Sequence, residues 1–473
     1  MNGKQVKRKP TKRKPTKRTG SPTNAKPRAV QSQRAAEPVG ELAPDDRVSG
    51  HHGADTHRRG RSGAGRIAIV LLVIAVVVAC GAGAWMWHTN EERMRLEREN
   101  APVPIDVNGI SEGRLERILS AMTLEQKVAQ LFVVRPESLV DVGTVVEAGD
   151  STRKAIEKRP VGGICYFSEN LEDPEQTSEM LRNSSNFAKD SCGLPLFLCV
   201  DEEGGTVARV AQDEDFEVED VGNMKDIGAT GKTNEARDAA RYVGGYLKEL
   251  GFNVDFAPVA DIVTSEDSPM YKRAFGDTPE LVSEMVKAQV EGYERSGVLC
   301  SAKHFPGIGA AEEDSHDQSI YSSKTAEEMR SWELVPFAAA IDAHVPMVMV
   351  GHLTCTGITP EREEGEGDDK KTIPTPPATY DGNVINVLLR HTMGYQGIVV
   401  TDSLEMGAVA DYCSPGEQAV LAVEAGADLV LLPKDFDKAY DGLLEAVKSG
   451  RISEDRINES VRRITAEKLR MIA

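Results

Sequence analysis

Ala302-Lys303-His304-Phe305-Pro306-Gly307-Ile308-Gly309-Ala310-Ala311-Glu312-Glu313-Asp314-Ser315-His316 follows directly on the apolar run Val298-Leu299-Cys300-Ser301. A short apolar run bounded by breakers reads as a buried strand, so these polar residues emerge where a strand ends and a loop begins. Pro306, Gly307 and Gly309 interrupt regular structure. Asp314 and His316 stand two apart, close enough for the carboxylate to hold the imidazole in one tautomer. One reading is a proton-transfer pair on a loop at the end of a strand. The other is a solvated polar loop with a satisfied histidine.

Working outward, four more blocks stand out: Asp201-Glu202-Glu203-Gly204-Gly205-Thr206-Val207-Ala208-Arg209, Phe256-Ala257-Pro258-Val259-Ala260-Asp261, Arg273-Ala274-Phe275-Gly276 and Thr401-Asp402-Ser403-Leu404-Glu405-Met406. Together with the first block, in the same order and over roughly Leu119 to Ile472, they resemble the motifs of glycoside hydrolase family 3 in its single-domain β-N-acetylhexosaminidase branch. The resemblance implies a retaining, exo-acting enzyme that removes non-reducing N-acetylglucosamine from cell-wall-type glycans. It makes Asp402 the nucleophile and His316 the acid/base, with Asp314 orienting the imidazole. Asp201, Arg209, Arg273, Lys303 and His304 match the family's sugar-binding positions.

Those residue types suit the chemistry. Retaining hydrolysis needs a carboxylate to attack the anomeric carbon and a second group to give and then recover a proton. Imidazole can do the latter because its ordinary pKa of about 6.5 lies near working pH. Carboxylates and guanidinium groups make paired, directional hydrogen bonds to neighbouring hydroxyls or an acetamido oxygen. Glu312 and Glu313 are rival acids on the same loop, Glu203 has no assigned role, and Asp261 reads as structural. Ile308 stands where the family pattern has His, and Ser403 where a second acidic residue often follows the nucleophile. These departures leave open a glycan-binding barrel without turnover; His in place of a carboxylic acid as the acid/base leaves open a β-N-acetylglucosaminide phosphorylase, and a β-glucosidase on the same site is a further alternative.

Apolar runs recur at Val128–Val134, Val161–Phe167, Leu194–Val200, Val254–Pro258, Val298–Ala302, Met347–Gly351, Gly397–Thr401 and Ala427–Leu432, with amphipathic segments between them. Eight such beats fit the α/β class and the strand count of a (β/α)8 TIM-like barrel. Periodicity alone admits an open sheet as well; the family resemblance selects the barrel, over 110–473. Between the sixth and seventh beats, 361–371 is an acidic Gly-containing insert that reads as a solvated loop. Ser453 is placed to cap a last helix whose apolar stripe is Ile457, Val461 and Ile464.

Charge divides the chain. Residues 1–66 carry 17 Lys and Arg against 5 Asp and Glu, whereas the remainder carries 39 against 70. The first part opens on repeats of Lys-Arg-Lys-Pro-Thr and is too poor in apolar residues to offset its chain entropy, so a disordered basic arm is expected. From Ile67 to Trp87 there are 21 uncharged, mostly aliphatic residues ending near Trp85 and Trp87, enough for one transmembrane helix. The basic flank places the N-terminus in the cytoplasm and the barrel outside, after a stalk over 88–109. Val77-Val78-Ala79-Cys80 also resembles a lipoprotein cleavage box. The expected partners are therefore a carbohydrate substrate and the membrane. Nucleic acid is not expected, since an acidic domain repels phosphates. The seven cysteines show no metal-ligand spacing, and neither a metal nor another cofactor is expected.

Overall fold

The computed structural model describes residues 105–106, 109–140, 142–311, 314, 318–365 and 370–472, all within the unit Gly81–Ala473. The basic arm, the apolar span Ile67–Trp87 and most of the stalk lie outside the described residues. No helix among the described residues is long and apolar enough to cross a membrane.

Eight parallel strands organise the domain: β1 (Phe132–Val134), β2 (Gly163–Cys165), β3 (Phe197–Val200), β4 (Val254–Asp255), β5 (Leu299–Phe305), β6 (Met347–Val350), β7 (Ile398–Thr401) and β8 (Val430–Leu431). Their order around the sheet is β7-β6-β5-β4-β3-β2-β1-β8. Each strand but β8 therefore pairs with its predecessor in the chain, and β8 returns to β1, with Phe132 opposite Val430 and Val133 opposite Leu431.

The seam between β7 and β8 is closed differently. One parallel bridge joins Val400 to Leu429, the Thr401 N–H donates to the Leu429 carbonyl at 3.0 Å, and the Leu431 N–H donates to Thr401 Oγ1 at 2.9 Å. Asp428 Oδ2 accepts the Val399 N–H at 3.0 Å. The result is an α/β barrel of the TIM type, nearly closed by strand pairing and completed by these contacts.

Seven of the apolar beats contain one barrel strand each, and β5 runs past the fifth beat, Val298–Ala302, through Lys303 and His304 to Phe305, where a loop was expected; every residue of β1, β2, β3, β6, β7 and β8 is buried. That is the pattern of strands covered on both faces, which read as apolar runs rather than alternations. The first beat was expected to begin at Val128, but Val128-Ala129-Gln130 closes the helix Leu124–Gln130. Thr123 and Gln126 start that helix with a reciprocal capping box. Its buried face supplied the apolar signal that the sequence reading merged with the strand.

Outside the strands run Asp150–Lys158, Pro174–Cys192, Thr233–Leu250, Pro279–Ser296, Leu334–Asp342, the π-helical Asn383–Thr392, Pro415–Ala425 and Phe436–Lys448, one per strand. Three of them start alike: Asp173, Thr278 and Ser414 cap helices whose first residue is proline. The side-chain oxygen takes an otherwise orphaned N–H, and proline occupies a position whose own N–H has no partner in the helix. Thr233–Leu250 and Pro415–Ala425 both stop on glycines with left-handed φ, 108° at Gly251 and 118° at Gly426, which turns the chain back toward the next strand. Helices dock on strands through aromatic edges: Phe132 meets Phe436 with ring centroids 5.5 Å apart, and Phe305 meets Phe337 at 5.2 Å.

The last helix, Glu454–Arg470, is capped by Ser453 and buries Ile457, Val461 and Ile464 as expected. The acidic insert is not simply a loop. Arg362–Glu364 pairs antiparallel with Lys371–Ile373, forming a small ribbon that is exposed on nearly every residue. Cys165, Cys199, Cys300 and Cys355 are buried free thiols, and Cys192 and Cys413 are partly exposed ones.

Candidate active site

At the C-terminal ends of the strands lies a cavity of about 520 Å³. Asp201, Arg209, Arg273, Lys303, His304, Asp314 and Asp402 all line it, so seven of the eight residues expected from the sequence share one space. His316 lies outside the described residues, as do Glu312 and Glu313. The contributions come from around the barrel. Arg135 follows β1, Phe167 follows β2, Asp201 follows β3, Lys303 and His304 belong to β5, and Asp402 follows β7. A parallel barrel delivers side chains in this way because every strand ends on the same face.

Asp201, Arg273 and Lys303 form one ion-pair network around the buried Glu203. Lys303 Nζ lies 2.6 Å from Asp201 Oδ1 and 2.6 Å from Glu203 Oε1. Arg273 grips the other side of Glu203 through two bonds, Nη2 to Oε1 at 2.6 Å and Nε to Oε2 at 2.8 Å. Burial alone would push the Glu203 carboxyl up, but Arg273 and Lys303 hold it far below the ordinary carboxylate range. Burial likewise opposes the charge on Lys303, and Asp201 and Glu203 outweigh it, so the ammonium stays protonated.

Asp261, fully buried, sets the position of His304. Its Oδ2 faces His304 Nδ1 at 2.8 Å and accepts the His304 backbone N–H at 3.2 Å, while Oδ1 accepts the Ile308 N–H at 2.7 Å. A carboxylate only accepts, so Nδ1 carries the proton and Nε2 is the ring nitrogen left for a ligand. Ile308, which departs from the family pattern, is buried against this anchor and forms part of the cavity wall.

Asp402 is nine-tenths buried. Burial would raise its pKa, yet His304, His352, the Ser403 N–H and Lys303 together leave the carboxyl below its ordinary value. The Ser403 N–H donates to Asp402 Oδ1 at 2.7 Å. An ionised, positioned carboxylate is what attack on an anomeric carbon requires.

Some of the site was not read from the sequence. His352, buried just after β6, lies 2.9 Å through Nε2 from the Ser403 carbonyl and 2.7 Å through Nδ1 from Thr379 Oγ1. The signal was present: His352 follows the sixth beat just as Asp402 follows the strand of the seventh. At the rim, the Arg135 guanidinium stacks 3.8 Å above the Phe167 ring and pairs with Glu405 at 3.0 Å. Neither contact is legible from spacing. Asp261 holds His304 from behind and is not among the residues lining the cavity, and Glu203, left without a role by the sequence, is the hub of the ion pairs.

The sequence profile described as the N-terminal domain of glycosyl hydrolase family 3 matches residues 123–466, a stretch that contains all eight strands. The chain belongs to glycosyl hydrolase family 3. This family 3 chain is similar to β-hexosaminidase A of Pseudoalteromonas piscicida, 31% identical over 334 residues that make up 67% of this chain and 54% of that protein. It is 29% identical over 364 residues to β-hexosaminidase LpqI of Mycobacterium tuberculosis, covering 74% of this chain and 84% of that one. Among solved structures, a family 3 β-N-acetylglucosaminidase from Paenibacillus sp. str. FPU-7 superposes with a TM-score of 0.67 at 39% identity, over 74% of this chain and 63% of that one. The chain thus spans about half the length of the first of these relatives.

The network allows a stability test. Glu203→Ala leaves Arg273 without its carboxylate and Lys303 with Asp201 alone, and losing one partner of a buried charge cluster costs about 3–5 kcal/mol. Urea unfolding should show that loss, with Glu203→Gln in between because it keeps the shape and one acceptor. A loss under about 1 kcal/mol for Glu203→Ala would mean that the ion pairs do not hold the mouth together.

Proposed function

We propose that the barrel is a retaining, exo-acting β-N-acetylhexosaminidase that removes non-reducing N-acetylglucosamine from cell-wall-type glycans. Asp402 attacks the anomeric carbon. His316, oriented by Asp314, protonates the leaving oxygen and then activates water. Asp201, Arg209, Arg273, Lys303 and His304 hold the sugar that is released. What supports this is one observation: a carboxylate kept ionised at the end of β7 shares a cavity with all five expected sugar-binding residues and with Asp314. The names of the relatives point the same way.

A panel of aryl β-glycosides of N-acetylglucosamine, glucose and N-acetylgalactosamine, with and without phosphate, tests the proposal. Turnover should be greatest with the N-acetylglucosaminide and should yield free sugar. Preference for glucose, sugar phosphate as product, or binding without turnover would each replace it.

We propose also that Ile67–Trp87 crosses the membrane, with the basic arm inside and the barrel outside. Protease added to intact protoplasts should then remove activity. Full survival of activity beside a digested external control would reverse the placement.

A further inference from the structure

We infer that a second sugar-binding site, separate from the catalytic cavity, lies between the connection leaving β6 and the one leaving β7, and that it takes one ring of a neutral oligosaccharide. The inference rests on the proposed glycosidase reading only for the choice of probe.

A cavity of about 460 Å³ opens there, and it shares no lining residue with the catalytic one. Both open on connections that follow strand ends, which puts them on the same face of the barrel. Tyr412 comes ten residues after Asp402, on the same connection. The second cavity has room for a pyranose ring, and its walls combine two kinds of surface.

The first is aromatic and apolar. Tyr412, 43% exposed, leans on Tyr380 with ring centroids 5.3 Å apart and planes tilted by 37°. Pro360, Pro374 and Pro376 stiffen the rest of the wall. An exposed ring face beside rigid walls suits the C–H face of a sugar, which is apolar and flat enough to stack.

The second kind is polar and convergent. The amides of Asn383 and Asn386 and the carboxyl of Asp381 belong to the lining. Asp381 Oδ1 accepts the Asn383 N–H at 2.9 Å, which fixes its orientation. Tyr380, 7% exposed, carries a hydroxyl with no hydrogen-bond partner among the described residues. That hydroxyl is closed off by the protein around it, so the polar groups on offer to a ligand are those of Asp381, Asn383 and Asn386.

Charge decides the class of ligand. Arg362 and Asp381 are the charged residues of the lining, one of each sign, so the cavity has no net charge to attract an anion or a cation. A neutral ring bearing hydroxyls and an acetamido group matches both the stacking face and the amides.

Calorimetric titration tests the inference, using the full chain as Asp402→Asn to prevent turnover and the β-1,4-linked tetrasaccharide of N-acetylglucosamine as probe. Two binding sites are expected, and one should remain when Tyr412→Ala is added. Asn386→Ala, which removes a half-buried amide of the lining, should leave the melting temperature nearly unchanged while weakening the second site. In the otherwise intact enzyme, Tyr412→Ala should leave kcat/KM for an aryl N-acetylglucosaminide unaltered and raise KM for the tetrasaccharide by about two- to tenfold, the effect of losing one aromatic contact.

A single site before any change at Tyr412, two undiminished sites after both changes, or equal loss on both substrates would each overturn it. Two-site binding without turnover of any aryl glycoside would instead sink the reading of the reaction and leave this one standing.

Discussion

Asp402→Ala is expected to lower turnover of N-acetylglucosaminides by several orders of magnitude, equally for leaving groups that need a proton and those that do not. The nucleophile forms its bond to the anomeric carbon in the same step that expels either kind of leaving group, so no substrate escapes its loss. The fold should survive. Asp402 sits beside His304, His352 and Lys303, and its removal leaves no carboxylate facing another. The Ser403 N–H loses an acceptor at the wall of the cavity, where water can replace it. Steady-state kinetics with an aryl and a disaccharide substrate, beside a thermal melt, decide the matter. Activity within about tenfold of the parent would remove Asp402 from the reaction, since that is only about 1.4 kcal/mol of barrier.

His316→Ala should behave differently, and the difference identifies the group. An aryl leaving group departs without a proton, so formation of the glycosyl intermediate is spared in part while its hydrolysis, which needs a base, slows; the intermediate then accumulates and a burst appears. A sugar leaving group must be protonated, so both steps fail and turnover falls by orders of magnitude. Asp314→Ala should lie between, because the imidazole remains but loses its orienting carboxylate. Glu312→Gln and Glu313→Gln should stay within about tenfold of the parent. If either glutamine variant abolishes disaccharide cleavage while His316→Ala does not, a carboxylic acid is the proton donor and the pair Asp314–His316 is only a loop.

Strands were legible because a strand buried on both faces writes itself as an apolar run; seven of the eight runs hold one whole, and the fifth holds the first part of β5, whose Lys303 and His304 break the apolar pattern. Their limits were less so. Val128 and Ala129 are as apolar as Val133 and Val134, and only the capping pair Thr123 and Gln126 marks them as the end of a helix. The exposed ribbon around 362–373 has no buried face to leave a pattern. In the site, residues within quoted motifs were legible and partnerships across the fold were not. Glu203 meets Arg273 across 70 residues, and Arg135 meets Glu405 across 270. No local spacing encodes such pairs; they follow only from the barrel bringing strand ends together.

Seven of the eight junctions around this barrel are ladders of peptide hydrogen bonds, which do not titrate. The eighth, beneath Asp402, has fewer of them, the Thr401 N–H to the Leu429 carbonyl and the Asp428 and Leu429 N–H groups to the Val399 carbonyl, and adds Thr401 Oγ1 and the Asp428 carboxylate. Asp428 is held in turn by Arg390, Arg463 at 3.1 Å and Ser460 at 2.7 Å. Burial opposes its charge, but the guanidinium groups win and keep the carboxyl well below its ordinary range. A carboxyl depressed on folding stabilises at every pH above its unfolded value of about 3.9 and loses that contribution only as acid protonates the folded form. The seam therefore carries a proton-sensitive clasp beside its peptide bonds. It stays fastened through mild acidity, and where it yields to strong acid it yields directly under the carboxylate proposed to start the reaction.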